Sequence, residues 1–141
     1  MNEKKPITIL QLYPRDMNIY GDWGNTLTLK RRLQWHGYKP ILREYNPGDT
    51  FPTDIDLIVG GGGQDSGQDK IQDDLLKIGP KLQQLAEDGM PMLMICGLYQ
   101  LFGKFFKAQD GHIIEGIGVF DAETHAGPER LIGNIITKSS D

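Results

Sequence analysis

Hydrophobic positions along the chain come in short runs separated by polar segments, and the runs alternate between two periods. Ile7 to Tyr13 (ITILQLY) is β-branched and apolar, a first strand. Pro14 and the polar residues to Gly21 form a loop. Leu27, Leu29, Leu33 and Trp35 then follow a loosely helical pattern that ends at His36-Gly37, with Gly37 suited to a left-handed helix terminus. Lys39 to Tyr45 reads as a second strand and is followed by the turn-rich NPGDTFPTD. Ile55 to Val59 (IDLIV) is a third strand that empties into Gly60-Gly61-Gly62-Gly63. A helix over about 68–87 carries Ile71, Leu75, Ile78, Leu82 and Leu85 at spacings of three and four, with a kink or break expected at Gly79-Pro80.

Met92 to Ile95 (MLMI) is apolar on both faces, the pattern of a strand in the middle of a parallel sheet. Cys96 follows directly, and a helix with Leu98, Leu101, Phe102, Phe105 and Phe106 is expected after it. Two further strands, Ile113 to Phe120 and Arg130 to Thr137, flank a loop from Asp121 to Glu129. Strands alternating with helices predict an α/β fold of three layers, a mostly parallel sheet flanked by helices. Ligands in such folds lie beyond the carboxyl ends of the strands. That rule selects three loops, Pro14 to Gly24, Gly60 to Gly67 and Cys96-Gly97, which are expected to meet.

Composition narrows the classes of function. With 141 residues, 38% hydrophobic and 24% charged, the chain is one domain's worth of ordinary globular sequence. A formal charge of -4 argues against a nucleic-acid partner, which needs an excess of Lys and Arg. Lys30-Arg31-Arg32 diverge at helical spacing and read as a solvated face. No apolar run is long enough for membrane insertion, and no signal-peptide core follows the N-terminus. One cysteine excludes an intrachain disulfide and a multi-cysteine metal site and fits the cytoplasm.

Cys96 ends a buried strand and starts a helix. Such a turn lifts a side chain to the top of the sheet, and a helix N-terminus favours thiolate over thiol. The bland alternative is a core cysteine. The glycine loop lacks the GxxxxGK[ST] pattern, so it is not a Walker A loop.

Four segments carry a resemblance. Ile95-Cys-Gly-Leu-Tyr-Gln100 resembles the nucleophile turn of class I, triad-type glutamine amidotransferases. Asn18-Ile-Tyr-Gly-Asp-Trp-Gly-Asn25 is similar to the YGDxGN signature of the cobyric-acid-synthase-like branch. Gly61-Gly-Gly-Gln-Asp65 is similar to that branch's glycine loop, and Glu129-Arg-Leu-Ile-Gly-Asn134 to its segment with a glutamine-binding arginine. Within the branch the chain most resembles GatD-type glutaminase subunits of lipid II isoglutaminyl synthase.

The resemblance implies a flavodoxin-like fold and Cys96 as the catalytic nucleophile. It implies an oxyanion hole from the N–H of Gly62 or Gly63 together with Gly97, a donor set worth about 3 kcal/mol of barrier per group in other systems. It implies that Arg130 holds the α-carboxylate of glutamine and that Gln100 points back to the site. Without the resemblance, Arg130 would be read as a surface charge and Gln100 as a solvated helix residue. Tyr20 to Asn25 is a turn and helix cap, with no chemistry assigned. The implied partners are glutamine and a Mur ligase-like, ATP-dependent synthetase that amidates lipid II glutamate in peptidoglycan synthesis; no cofactor and no metal are implied. Corrin amidation and a flavodoxin-like domain without catalysis are the alternatives.

The base expected beside a cysteine nucleophile is histidine. His36 sits at a helix end, His112 before a strand and His125 in a loop with Glu123. In the family the histidine comes well after the ERLIGN-like segment, in an ENH-type motif. The chain therefore reads as one amidotransferase-like domain over 1–141, truncated at its C-terminus as an engineered fragment or incomplete gene. Its catalytic histidine would lie beyond residue 141, and little glutamine turnover is expected. Met94 and Leu98 occupy positions where tight nucleophile turns favour small residues, so a relaxed turn with a less exposed cysteine is also expected.

Overall fold

A computed structural model describes residues 4–129 and 131–140. Four parallel strands form the main sheet: β1 (Pro6–Leu12), β2 (Lys39–Tyr45), β3 (Leu57–Gly60) and β4 (Met92–Met94), in the order β2-β1-β3-β4. β1 is central, with Leu10 opposite Arg43 on one side and Ile58 on the other. Three helices accompany the strands: α1 (Trp23–Trp35), α2 (Asp65–Glu87) and α3 (Gly97–Phe102). A second sheet of short strands follows, β5 (Phe105–Lys107), β6 (Ile113–Glu115) and β7 (Thr124–His125), ordered β6-β5-β7.

Alternation along β1 decides which helix covers which face. Leu10 and Leu12 join the core with Ile58 and with Ile71, Leu75 and Leu82 of α2. Gln11 points the other way and accepts a hydrogen bond from the Thr26 hydroxyl of α1. Successive strand residues face opposite sides, so the two helices lie on opposite faces and the three-layer α/β expectation holds. α1 is thinly packed: Thr26 is its one fully buried residue, and Trp35 remains 70% exposed beneath the Arg31 guanidinium. Gly37 takes φ 80° where α1 ends, as its position predicts.

Several expectations are corrected. Of the kink or break expected at Gly79-Pro80, the break is absent: α2 is a single helix through Pro80. The proline removes one backbone donor, but the buried stripe Gln68, Ile71, Leu75, Gly79 and Leu82 continues across it and holds both halves on the core. Gly79 belongs to that packing, since a Cβ there would lie 2.8 Å from Ile117 Cγ2. α3 stops at Phe102, and Phe105 and Phe106 lie in β5 rather than in the helix. Gly103 is extended at the break, and a side chain on it would meet the Ala122 carbonyl at 2.6 Å.

β4 is an edge strand among the described residues, not a central one, and Leu93 is 40% exposed. The strand expected over Ile113 to Phe120 is only the three residues of β6. Gly116 then passes so close to the Gly103 and Leu101 carbonyls that it admits no side chain. Residues 131–137 form no strand, and Leu131 and Ile136 are fully exposed. Their β-branched composition favours a strand only where another strand supplies hydrogen-bond partners. Among the described residues, no helix is long and apolar enough to cross a membrane.

Candidate active site

Strands β1, β3 and β4 run parallel, so the loops after them emerge at the same end of the sheet, as the position rule requires. Backbone hydrogen bonds tie the three loops together. Ile95 N–H donates to the Gly60 carbonyl at 2.9 Å and Leu98 N–H to the Gly61 carbonyl at 3.2 Å, joining the cysteine turn to the glycine loop. Ile19 N–H donates to the Gly62 carbonyl at 3.3 Å, which brings in the first loop.

Cys96 sits at the centre of this junction with φ 52° and ψ -109°, a left-handed backbone state that costs a non-glycine residue about 1–3 kcal/mol. The first helical bond of α3 comes from its own carbonyl, which accepts from Gln100 N–H at 3.0 Å. The thiol is exposed. The expectation of a relaxed turn with a less exposed cysteine is therefore overturned. Met94 and Leu98 turn into the core instead, into room left by Gly60, where a Cβ would lie 2.9 Å from Met94 Sδ and 2.5 Å from Leu98 Cδ1.

The glycines after Gly60 are equally constrained. A Cβ on Gly62 would lie 3.2 Å from Cys96 Cβ, and one on Gly63 would lie 2.4 Å from Met17 Sδ. A Cβ on Gly97 would lie 3.0 Å from the backbone nitrogen of Gly63. Backbone of Gly62 thus packs directly against Cys96, while Gly63 and Gly97 approach each other with the Met17 side chain against both. No hydrogen bond among the described residues uses the N–H of Gly62, Gly63 or Gly97.

Cys96, Gly63 and Gln100 open onto one cleft of about 970 Å³, together with Tyr20, His125 and Glu129. Arg130 lies outside the described residues, though its neighbours Glu129 and Leu131 both line the cleft. His125 stands edge-on against Phe105, with ring centroids 5.3 Å apart, and its Nε2 lies 3.2 Å from Glu123 Oε2. Neither His36 nor His112 lines this cleft. His112 pairs with Asp69 at 3.0 Å, and that hydrogen bond holds its imidazolium above the usual histidine range.

Two residues of the site were not singled out for it by sequence reasoning. Asp22 N-caps α1 by position, but its carboxylate makes no capping bond. Asn18 Oδ1 accepts from Trp23 N–H at 2.8 Å instead, and Asp22 Oδ2 is buried beside Gly61 without a partner. Gln68, buried in α2, donates to Gln100 Oε1 at 2.8 Å and to the Gly97 carbonyl at 3.3 Å. Its signal in the sequence was a polar residue placed three before Ile71 and seven before Leu75, on the apolar stripe of α2.

A family model for the CobB/CobQ-like glutamine amidotransferase domain matches residues 8–141. The chain is 37% identical over 135 residues to the lipid II isoglutaminyl synthase (glutamine-hydrolyzing) subunit GatD of Staphylococcus aureus, covering 94% of this chain and 55% of that protein. It is 34% identical over 137 residues to the subunit of the same name from Streptococcus pneumoniae, covering 96% and 53%. A probable cobyric acid synthase of Methanococcus maripaludis is 38% identical over 72 residues, covering 45% of this chain and 15% of that protein. The chain spans about half the length of the GatD subunits it matches. With a family model matched along nearly its whole length and an exposed cysteine at the strained strand-to-helix turn, the chain belongs to the CobB/CobQ-like glutamine amidotransferases.

Proposed function

We propose that the protein is the glutaminase part of a lipid II isoglutaminyl synthase and releases ammonia from glutamine through a thioester on Cys96. The observation that carries the reading is the turn itself: an exposed thiol at φ 52°, packed against bare backbone of Gly62, next to Gly97 and sharing a cleft with Gly63. The Cys96 sulfur attacks the side-chain carboxamide carbon of glutamine, and the carbonyl oxygen becomes an oxyanion. N–H groups of Gly62 or Gly63 and of Gly97 hold that charge, the role their unused donors suit. The C–N bond then breaks, and the proton lost by the thiol leaves with ammonia. Water adds to the γ-glutamyl thioester, releases glutamate and regenerates the thiol.

Gln100 and Arg130 are proposed to hold the amino-acid end of glutamine, Gln100 from the wall of the cleft. Ammonia passes to a Mur ligase-like, ATP-dependent synthetase subunit that amidates the lipid II glutamate. That choice of acceptor is supported by likeness to GatD subunits over nearly the whole chain, against less than half for the cobyric acid synthase. The cytoplasm is the proposed compartment, because it keeps a lone cysteine reduced.

The test is mass spectrometry after exposure to 6-diazo-5-oxo-norleucine, an electrophilic mimic of glutamine, with Cys96→Ala as control. One adduct on Cys96, suppressed by excess glutamine, is expected. A thiol that accepts iodoacetamide but never the glutamine mimic would sink the glutaminase reading.

A further inference from the structure

Gln68 lies on the apolar stripe of α2 and is 1% exposed, a position where an aliphatic side chain would ordinarily sit. Its amide nitrogen reaches two acceptors, the Gly97 carbonyl at 3.3 Å and Gln100 Oε1 at 2.8 Å. A backbone carbonyl can only accept, so Gly97 fixes which end of the Gln68 amide faces it. The second hydrogen of the same NH2 group is then aimed at Gln100, which must answer with its oxygen. Gln68 Oε1 is left buried without a partner, so the residue keeps this orientation at a cost in desolvation. Gln100 lines the cleft beside Cys96, and with its oxygen turned inward it has its NH2 group left for a ligand.

We infer that Gln68 is a positioning residue that sets Gln100 as a hydrogen-bond donor, so that the ligand group held there is an acceptor, a carboxylate or carbonyl oxygen, rather than an ammonium. This rests on the glutaminase reading for the identity of the ligand, and it deepens that reading by assigning the polarity of one wall of the cleft. The orientation runs from a backbone carbonyl that cannot flip, through a buried amide, to the side chain at the cleft.

Substituting Gln68→Glu leaves at most one donor hydrogen, on a buried protonated carboxyl, and the Gly97 carbonyl claims it. Gln100 is then expected to turn its NH2 inward and show oxygen to the ligand. Gln68→Met removes the bonds without reversing the polarity. The measurement compares, on the whole chain, the rate of Cys96 modification by 6-diazo-5-oxo-norleucine with that by iodoacetamide, which has no amino-acid group. Gln68→Glu is expected to slow the glutamine mimic about tenfold, the equivalent of one hydrogen bond, with iodoacetamide little changed and Gln68→Met intermediate. Equal slowing of both reagents, or of neither, would overturn the inference.

Side-chain amide NMR on the unsubstituted chain decides the orientation even if Cys96 ignores the glutamine mimic or Gln68→Glu fails to fold. The Gln68 NH2 is expected to be protected from exchange and the Gln100 NH2 open to solvent. The reverse pattern would refute the inference and leave the glutaminase reading to its own test.

Discussion

Gly62 leaves no spare room on the side facing Cys96: a Cβ added to it would lie 3.2 Å from the Cys96 Cβ and 3.5 Å from Sγ. The neighbouring Gly61 is enclosed differently, with its added Cβ 2.4 Å from both the Asp22 Cβ and the Met17 carbonyl oxygen. Two adjacent glycines therefore separate access to the sulfur from stability of the loop. Gly62→Ala is expected to slow modification of Cys96 by the glutamine mimic about tenfold, with a change in stability below about 1 kcal/mol. Gly61→Ala meets backbone that cannot step aside and is expected to cost about 1–3 kcal/mol. Alkylation rates and urea unfolding of the two variants check the contrast.

The backbone at Cys96 predicts a gain in stability when glycine takes its place. Glycine enters the φ 52° region without a Cβ penalty, so Cys96→Gly is expected to raise unfolding free energy by about 1 kcal/mol relative to Cys96→Ala. Both variants lose the adduct. Equal urea midpoints for the two would mean that the turn is unstrained.

Leu98 is fully buried, and with Met94 it occupies the room that Gly60 leaves. Leu98→Ala is expected to cost about 2–5 kcal/mol, as for other large-to-small core changes. Gly60→Ala, which drives a methyl group into Leu98 and Met94, is expected to destabilise by about 1–3 kcal/mol. Because Leu98→Ala opens room that the methyl group of Gly60→Ala fills, the double variant is expected to be more stable than the sum of the single losses implies. Denaturant unfolding of the single and double variants measures that coupling.

The buried Tyr13 hydroxyl donates to Asp74 Oδ2 at 2.7 Å, and Tyr13 stacks edge-on against Tyr45 with centroids 5.6 Å apart. Burial first, and then the Asp74 carboxylate, raises both phenols above the usual tyrosine range. For an acid held protonated in the fold, the unfolded chain releases its proton first, so this linkage leaves stability intact below about pH 10 and erodes it above. Absorbance at 295 nm is expected to show at most three of the five tyrosines ionising before the chain unfolds in alkali. Tyr13→Phe is expected to cost about 1 kcal/mol at neutral pH and to weaken this alkaline dependence.

Wherever an element carries its own signal, it was legible in the sequence. β1 and β2 coincide nearly residue for residue with their expected spans, β1 because a short β-branched segment bounded by turn residues has few other uses. The stripe of α2 is read directly from spacings of three and four. Cys96 and Gly63 open onto one cleft, because parallel strands deliver their following loops to the same end of the sheet; Gln100, which the resemblance placed there, lines it too, whereas Gly62 and Gly97 lie buried behind it. Apolarity alone could not place β4, since its run reads the same in the middle of a sheet as at an edge. Nor could composition decide the end of α3, where Gly103 and the Ala122 carbonyl stop a helix that Phe105 and Phe106 would otherwise extend.

Local pattern thus determined the elements as far as Leu101 and Phe102, their order and the position of the Cys96 turn, all of which depend on neighbours a few residues apart. What required the tertiary structure depends on partners far along the chain. Met94 and Leu98 looked too large for a tight turn until Gly60, more than thirty residues earlier, proved to leave them room. Asp22, within the turn and cap expected over 20–25, would have been a solvated acid until Asn18 took the capping bond and left its carboxylate buried beside Gly61. Gln68 looked like the start of a helix until its amide reached Gln100, thirty-two residues away. The sequence names the side chains, but the direction of a hydrogen bond and the space beside a glycine exist only once distant segments are packed together.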